Sequence, residues 1–520
     1  MSATRIKIVP KEYRDSVFLM QLSAEVARLP GVEQASAVMA TENNLALLAE
    51  AGFSVDTTGA GATDLMIVMR GEEPQLDGAI EEALKLLTRQ PESRGPGTTQ
   101  PAKPRTIQMA LAAAKSANLA LISTPGEYAA AEALKALRLG LNVMLFSDNV
   151  SEDDELRLKE FARSRDLIVM GPDCGTAIVN GVPLSFANVV KRGPIGAVGA
   201  SGTGLQQVTV LVDRLGLGIS QAVGTGGRDL HRKIGGISML KGLAELAADA
   251  GTRVIVLISK PPAPEVAERV LAEAAKAGKP VVVNFLGADP ASLTRGSIHG
   301  ARTLEDAARA AVAIARGQTP RQDYGEVPAP PANLPPLGPS QRYIRALYSG
   351  GTFCYEASLL LDERLGEVYS NTPARPENEL TDLWHSHHHT LIDLGDDVFT
   401  RGRPHPMIDY RLRTERIAKE AEDPETAVIL LDVVLGYGSH PDPASELVPA
   451  LRRASEIAAR QGRDLVFVGH VCGTERDPQG LARQARALGD AGMMLAESNA
   501  QAVRLAASIV SGRSAPRHGR

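Results

Sequence analysis

The stretch that most constrains this chain is residues 193–230, GPIGAVGASGTGLQQVTVLVDRLGLGISQAVGTGGRDL. A short apolar run, Ile195–Val198, leads into six small residues, Gly199-Ala200-Ser201-Gly202-Thr203-Gly204. From Leu205 the apolar side chains recur at helical spacing, through Val208, Val212 and Leu215, as far as Gly216 and Gly218. A second apolar run, Ile219–Val223, ends in Gly224-Thr225-Gly226-Gly227 and then Arg228-Asp229. The order is strand, glycine turn, helix, strand, glycine turn. A glycine turn at a helix start leaves backbone N–H groups unpaired where the helix dipole favours an anion, and glycine lets a ligand approach the backbone. Two such turns after adjacent parallel strands would share the sheet edge where open α/β sheets bind ligands. Ala200, Ser201, Gly202, Thr203, Gly204, Gly226 and Gly227 are therefore expected to bind phosphate. The competing reading is that glycine merely punctuates βα units; it suits one such turn better than two in succession.

A chain of 520 residues is expected to hold several domains. A net charge of −5 argues against a nucleic-acid role resting on a basic surface. Cys174, Cys354 and Cys472 are odd in number and far apart, which suits a reducing compartment rather than a disulfide framework. The first residues contain no apolar signal core, and no run approaches the length of a membrane span. A soluble, cytoplasmic protein with a small-molecule substrate is expected, with no nucleic acid and no membrane as partner.

Residues 1–90 read as a small α/β unit, with a helix from Asp15 to about Leu29, another at Asn43–Ala51 and a strand at 64–70. Tyr13-Arg14-Asp15-Ser16 reads as a helix cap. Residues 91–104 have linker composition. Over 105–190 helices and strands alternate, which implies a Rossmann-like parallel sheet. Its strands end at Pro125-Gly126-Glu127, at Asp148-Asn149 and at Gly171-Pro172-Asp173-Cys174. Pro125, Gly126, Glu127, Asp148, Asn149, Asp173 and Cys174 are candidate contacts to a substrate or a CoA-like ligand, although the GxGxxG dinucleotide fingerprint is absent. Residues 191–317 continue the α/β pattern, with His299 in a predicted loop. Residues 317–340, with seven prolines, read as an extended interdomain linker. Residues 341–512 form another α/β domain, with glycine or acidic residues after its strands at Gly350–Thr352, Asp393–Asp397, Gly436–Asp442 and Gly473–Asp477. The histidines of WHSHHH (384–389) sit in a polar loop, and no metal site is assigned to them. His405 and Asp409, in PHPMID, are candidate ligand contacts.

The order GPDCGTAI, VGASGTG…GTGGRDL, PVVVNFLG resembles the α subunit of succinyl-CoA synthetase and the wider ADP-forming acyl-CoA synthetase superfamily. The stretch LIDLGDD…LLDVVLGYG…GTERDP…AGMMLAES resembles the C-terminal domain of that enzyme's β subunit. Their fusion behind a different N-terminal domain is similar to the FdrA/YahF family, on the motifs MLFSDNV, VMGPDCGTAI, GASGTG, GGRDL, SKPPAP, LIDLGDD and GRPHPMID. The resemblance covers essentially the whole chain. It implies a multidomain α/β fold: a small N-terminal α/β domain (1–90), a Rossmann-like CoA-binding-type domain (105–190), and two flavodoxin-like succinyl-CoA-synthetase-type domains (191–317 and 341–512). It also implies a part in purine (allantoin) catabolism as a subunit of an oxamate-type carbamoyltransferase using carbamoyl phosphate. Partner subunits, including a DUF1116-type protein, and an oligomer follow from it. CoA is a possible ligand.

The departures from the synthetase narrow this expectation. Its phosphate-carrying histidine is oriented by a glutamate, whose place falls in Ile258-Ser259-Lys260-Pro261-Pro262, where there is no carboxylate. His299 lies near the phosphohistidine position but in different surroundings, and is not expected to be phosphorylated. No ATP-grasp domain is recognised, so the phosphate is expected to arrive on an acyl phosphate. The turns at 199–204 and 436–442 (Gly436, Gly438, Ser439) are expected to face each other across it, in a site between 105–317 and the C-terminal domain. Arg228, Arg403 and His405 are the candidate catalytic residues, with either arginine gripping an acceptor carboxylate. Two other readings stand beside this one. The first is an ADP-forming acyl-CoA synthetase subunit that borrows an ATP-grasp partner. The second is a non-catalytic subunit that binds CoA or a phosphorylated metabolite.

Overall fold

Runs of two to nine residues, most of them apolar, separated by glycine turns and amphipathic segments, become the strands of four sheets. The computed structural model describes residues 2–12, 14, 16–41, 44–45, 48, 53, 60–61, 63–88, 104–321, 324–325, 330, 334–400 and 403–511. The chain divides into two compact units, residues 1–103 with 401–403, and residues 104–400 with 404–520. No helix among the described residues is long and apolar enough to cross a membrane.

In the first unit β1 (Ser2–Val9), α1 (Ser16–Val26), β2 (Val32–Met39), β3 (Leu65–Glu72) and α2 (Glu73–Thr88) form a three-stranded antiparallel sheet with β3 in the centre. Leu65, Ile67 and Met69 pack beneath Leu19, Leu22 and Val26 of α1 and Leu76 and Ala83 of α2. Met66 and Val68 face the other way, onto Leu48 and Phe53. This is the period-two burial of a strand covered on both faces. Tyr13 and Asp15 of the predicted cap, most of the predicted helix at 43–51, and the predicted linker at 91–104 apart from Pro104 lie outside the described residues.

The second unit begins with α3 (Ile107–Ala113), β4 (Leu119–Ile122), α4 (Gly126–Arg138), β5 (Asn142–Leu145), α5 (Glu152–Arg163) and β6 (Val169–Met170). The three strands form a parallel sheet in the order β4-β5-β6. Next come β7 (Thr176–Val179), β8 (Val182–Ser185), β9 (Arg192–Ala200), α6 (Gly202–Arg214), β10 (Ile219–Gly224), α7 (Ile237–Ala248), β11 (Val254–Ser259), α8 (Pro264–Ala274), β12 (Val281–Phe285), α9 (Pro290–Leu293), β13 (Ile298–Gly300) and α10 (Leu304–Ala315). They build a seven-stranded sheet, β13-β12-β11-β9-β10-β7-β8. The hairpin β7–β8 extends this sheet antiparallel to β10. Its turn is Asn180-Gly181, both at positive φ (51° and 81°), the signature of a two-residue hairpin. His299, expected in a loop, lies in β13, paired with Val282 of β12.

The chain closes with β14 (Tyr343–Tyr348), α11 (Gly351–Leu365), β15 (Val368–Ser370), β16 (His389–Asp393), α12 (Asp397–Thr400), α13 (Arg411–Glu422), β17 (Thr426–Val434), α14 (Pro443–Arg460), β18 (Val466–Cys472), α15 (Leu481–Asp490), β19 (Met493–Ala496) and α16 (Asn499–Ser511). These strands form a six-stranded parallel sheet, β15-β16-β14-β17-β18-β19. One apolar cluster passes without a break from α6 (Leu205, Val208, Val212) and α10 (Ala307, Ala311) to α11 (Phe353, Ala357) and α16 (Val503, Ala507). The two large sheets therefore share a core through their helices. The described part of the proline-rich segment does not stand apart from it: Tyr324, Leu334 and Leu337 pack against the same cluster.

Candidate functional site

Strand β9 ends at Ala200, and Ser201 turns the chain into α6. Ser201 takes extended backbone (φ −167°), and its hydroxyl accepts the N–H of Gly204 at 3.1 Å, an N-cap. The same hydroxyl lies 2.7 Å from Thr352 Oγ1. Thr352 is the second residue of α11, which follows β14 in the other large sheet. Two helix N-termini, one from each sheet, thus meet tip to tip. The amides of Gly202 and Thr203 in α6, and of Gly351, Thr352 and Phe353 in α11, meet no acceptor among the described residues. Each helix end carries roughly half a positive charge. Closeness of backbone is obligatory here: a Cβ on Gly350 would stand 2.8 Å from Thr203 Cγ2, and one on Gly351 would run into Asp393 Oδ2.

This corrects the expectation about the facing turn. The partner of Ser201–Gly204 is Gly350–Thr352, not 436–442. Gly436 donates its N–H to Gln479 Oε1 (3.0 Å), Tyr437 to Ala187 O (2.9 Å) and His440 to Met407 O (2.8 Å). Gly436 and Gly438 sit at positive φ (107° and 79°), against Ala187 and the Phe186 ring. Their turn is a packing joint between the sheets, and its amides are largely occupied. The Ser439 hydroxyl is buried with no hydrogen-bond partner among the described residues. Gly226, at φ 84°, makes a close approach to Pro172 O, whereas a Cβ on Gly227 would meet nothing within 4 Å. The second glycine turn does share the first one's edge, with Gly224 opposite Gly199.

Arg228 is also placed differently from expectation. Its Nε donates to Glu155 Oε2 (3.1 Å) and its Nη2 to Val150 O (2.7 Å), so it holds the segment after β5 in place. Asp229 accepts the amides of Ser238 (3.2 Å) and Met239 (2.8 Å) at the start of α7. Arg403 groups with the first unit. Cys174 is buried beneath Gly224, its thiol pushed up to about 12 by burial, and it is inert as a nucleophile or contact. Pro125, Glu127, Asp148 and Asn149 are exposed. A Cβ on Gly126, at the start of α4, would stand 2.7 Å from Asn149 O, so these two strand ends lie together.

Near the paired helix ends the structure gathers titratable groups. Asp173, at φ 54°, is exposed. Desolvation, with the charges of Asp148 and Asp397, pushes its pKa up to about 7. Asp393, at the end of β16, is buried and pushed up to about 6 by desolvation, against the pull of Lys260. His405 is pulled down to about 4 by burial. Its Nδ1 accepts the Met407 N–H (3.2 Å), so the neutral ring carries its proton on Nε2. The ring packs on Phe186 at 5.4 Å. Of the groups singled out in the sequence, Ser201–Gly204 meets Gly350–Thr352, Asp393 abuts Gly351, and His405 lies with Asp393 against Gly395. The charge of Lys260 reaches both Asp173 and Asp393. The sequence signal for 350–352 was the same strand–glycine–helix pattern that marked 199–204.

The glycines allow a direct check. Gly204→Ala is expected to lower the melting temperature by several degrees, because its Cβ would crowd Ser201 Oγ and stand 3.0 Å from Ile258 Cγ2. Gly202→Ala, which meets only Thr176 Oγ1 at 3.6 Å, is expected to melt with the parent. Equal melting of both variants would refute this reading of the cradle.

Comparison with known proteins now places the chain. A family model described as CoA-ligase matches residues 347–509, one described as CoA binding domain matches 190–287, and one described as AllF, heavy metal-associated domain matches 1–104. The uncharacterized protein YahF of Escherichia coli K12 is 44% identical over 515 residues, 98% of this chain and 99% of its own length. The chain belongs to the FdrA/YahF family. Its FdrA-type architecture combines a small N-terminal domain with CoA-binding and CoA-ligase-like domains in an α/β fold. This FdrA-family chain is also 28% identical over 153 residues to subunit alpha-2 of the mitochondrial ADP-forming succinate–CoA ligase of Trichomonas vaginalis, covering 28% of this chain and 47% of that one. It is 31% identical over 121 residues to the alpha subunit of the Aquifex aeolicus enzyme, covering 22% and 40%. It thus spans about half or less of those ligase subunits. Apo acetyl-CoA synthetase 1 of Ca. Korarchaeum cryptofilum covers 76% of the chain and 83% of its own, with TM-score 0.32 and 14% identity. The N-terminal match implies a heavy metal, but residues 1–104 contain neither cysteine nor histidine, so they have no thiolate or imidazole for a soft ion.

Proposed function

We propose that the paired ends of α6 and α11 hold the phosphate of an acyl phosphate, and that this FdrA-family chain is the phosphate-handling subunit of a carbamoyltransferase. Carbamoyl phosphate is the donor and an oxamate-type amide the acceptor, in purine-type nitrogen catabolism, with partner subunits such as a DUF1116-type protein. The observation that carries the reading is the 2.7 Å meeting of Ser201 and Thr352, which aims unpaired amides of two helices at one place. One helix end offsets only part of a phosphate's charge, and two opposed ends offset about twice as much. In the reaction the acceptor nitrogen bonds to the carbamoyl carbon, the carbon–oxygen bond to phosphate breaks, and phosphate leaves with the electron pair. Fixed N–H groups stabilise the charge gathering on that leaving group. The acceptor nitrogen gives up one proton, and Asp173 and Asp393, titrating near 7 and 6, are matched to taking it at neutral pH. His405, neutral with its proton on Nε2, is a donor to a carbonyl oxygen. A second reading, an ADP-forming acyl-CoA synthetase subunit, is favoured by the matches to CoA-binding and CoA-ligase models.

The test is calorimetric titration of phosphate into the full chain, followed by phosphate release from carbamoyl phosphate with acceptor and partner subunits supplied. Gly202→Val is expected to abolish binding while leaving the melt intact, because its Cβ has room but its branches fill the approach to the amides. Sulfate, dianionic throughout, is expected to bind several-fold more weakly at pH 8 than at pH 6, as Asp173 and Asp393 lose their protons and repel it. Phosphate release that requires CoA and ATP would favour the synthetase reading. Unchanged phosphate affinity in Gly202→Val would sink both.

A further inference from the structure

We propose that Lys260 is the cation that contacts the bound anion, supplying positive charge that the two helix ends lack. This rests on the phosphate reading above and names the side chain that completes it. Lys260 follows Ser259, the last residue of β11. Strand β11 runs parallel to β9 with Ser259 opposite Ala200, so Lys260 leaves the sheet beside Ser201, the cap of α6. Ile258, one residue before the strand's end, stands 3.0 Å from the place of a Cβ on Gly204, so the first turn of α6 lies directly over this strand. Pro261 and Pro262 follow. Proline fixes its own φ and restrains the residue before it to extended backbone, so the lysine is held in one direction without drawing on neighbouring amides.

The ammonium is half-buried, and no hydrogen bond or ion pair to it occurs among the described residues. This is unusual company for a lone cation. Its charge acts on Asp173 beyond β6, on Asp393 at the end of β16, and on Cys354 in the first turn of α11. Elements of two other sheets therefore lie within reach of its charge, and the ammonium closes on none of them. By contrast, Lys159 and Arg228 nearby are tied into carboxylates. A lysine suits a ligand that must leave again: its three donors turn on a flexible stem and follow a phosphate from bound ester to free ion.

The experiment titrates inorganic phosphate into the full-length protein and into Lys260→Met, Lys260→Gln and Lys260→Arg, with melting curves for each. Both neutral variants are expected to bind phosphate about tenfold or more weakly, with Lys260→Arg within about threefold of the parent and all four melting together. If Lys260→Met is shifted in its melt, Lys260→Gln, which keeps a polar head, carries the comparison. Parent-like affinity in the folded neutral variants overturns the assignment while leaving the helix-end site standing. An arginine variant no better than methionine also overturns it, since charge would not be what matters. A parent chain that binds no phosphate removes the underlying reading and this inference together.

Discussion

Lys159→Met is expected to destabilise the second unit by about 3–5 kcal/mol, the scale for stripping the counter-charge from buried carboxylates. The Lys159 ammonium is fully buried between Glu155 Oε1 at 2.8 Å and Asp229 Oδ1 at 2.7 Å, and also donates to Thr225 O at 2.9 Å. Glu155 and Asp229 are as inaccessible as the lysine, so no water can replace it. Asp229 keeps its two amide donors at the start of α7, but Glu155 would keep only Arg228. The network also ties α5 of the first parallel sheet to the second glycine turn. Loss of the lysine should therefore loosen that sheet from the rest before global unfolding. Hydrogen exchange, with α5 and β6 losing protection first, and the denaturation midpoint measure the two effects. Adding Asp229→Asn should recover part of the loss by removing one stranded charge. A midpoint unchanged to within about 0.5 kcal/mol would mean that the carboxylates are satisfied without the cation.

Arg413→Met is expected to have a comparable effect on stability, about 3–5 kcal/mol, and to damage the anion site as well. Arg413, in α13, is wholly buried and donates to Leu347 O at 2.8 Å and to Asp432 O and Oδ1 at 2.6 Å each. Asp432 in turn accepts the amides of Ser349 (2.8 Å) and Gly350 (3.0 Å) and the Ser349 hydroxyl (2.8 Å). These bonds fix the two residues that lead into α11, and so fix where the Gly351 and Thr352 amides point. Without Arg413 the aspartate is an uncompensated buried charge, and the turn that it holds loses its reference. Phosphate affinity of the folded protein should fall by about tenfold or more, in step with positional errors of an ångström at a preorganised site. Arg413→Lys restores charge but not the fork that reaches both carbonyls, and should recover less than half of either quantity. A destabilised variant that binds phosphate as well as the parent would separate Asp432 from the site.

The fold was legible where burial dictates sequence. Runs such as VIVLIS and AVILLDVV are almost wholly apolar because their strands are buried on both faces, and they fall inside β11 and β17. The glycine turn before α6 was legible for the same local reason. What faces it was not. Gly350–Thr352 and Gly436–Ser439 give the same local signal, and only the packing of one sheet on the other decides which meets Ser201 and which is pressed against Phe186 and Ala187. Arg228 looked available because its partner Glu155 is 73 residues away in sequence. Lys260 lies in the SKPPAP motif but was not read as a site residue, and its meaning comes from the β9–β11 register. The Asn180-Gly181 hairpin was readable in principle, and was obscured because GPDCGTAI reads as the end of a βα unit.

The unbroken apolar cluster between the two large sheets has a consequence for molecularity. Both helix ends of the site belong to one polypeptide and are cemented by one core. Their encounter is therefore a unimolecular event, governed by an effective concentration that dilution cannot lower. A site assembled from separate chains empties as those chains dissociate. This one persists in each molecule down to a single copy, and is dismantled only by unfolding.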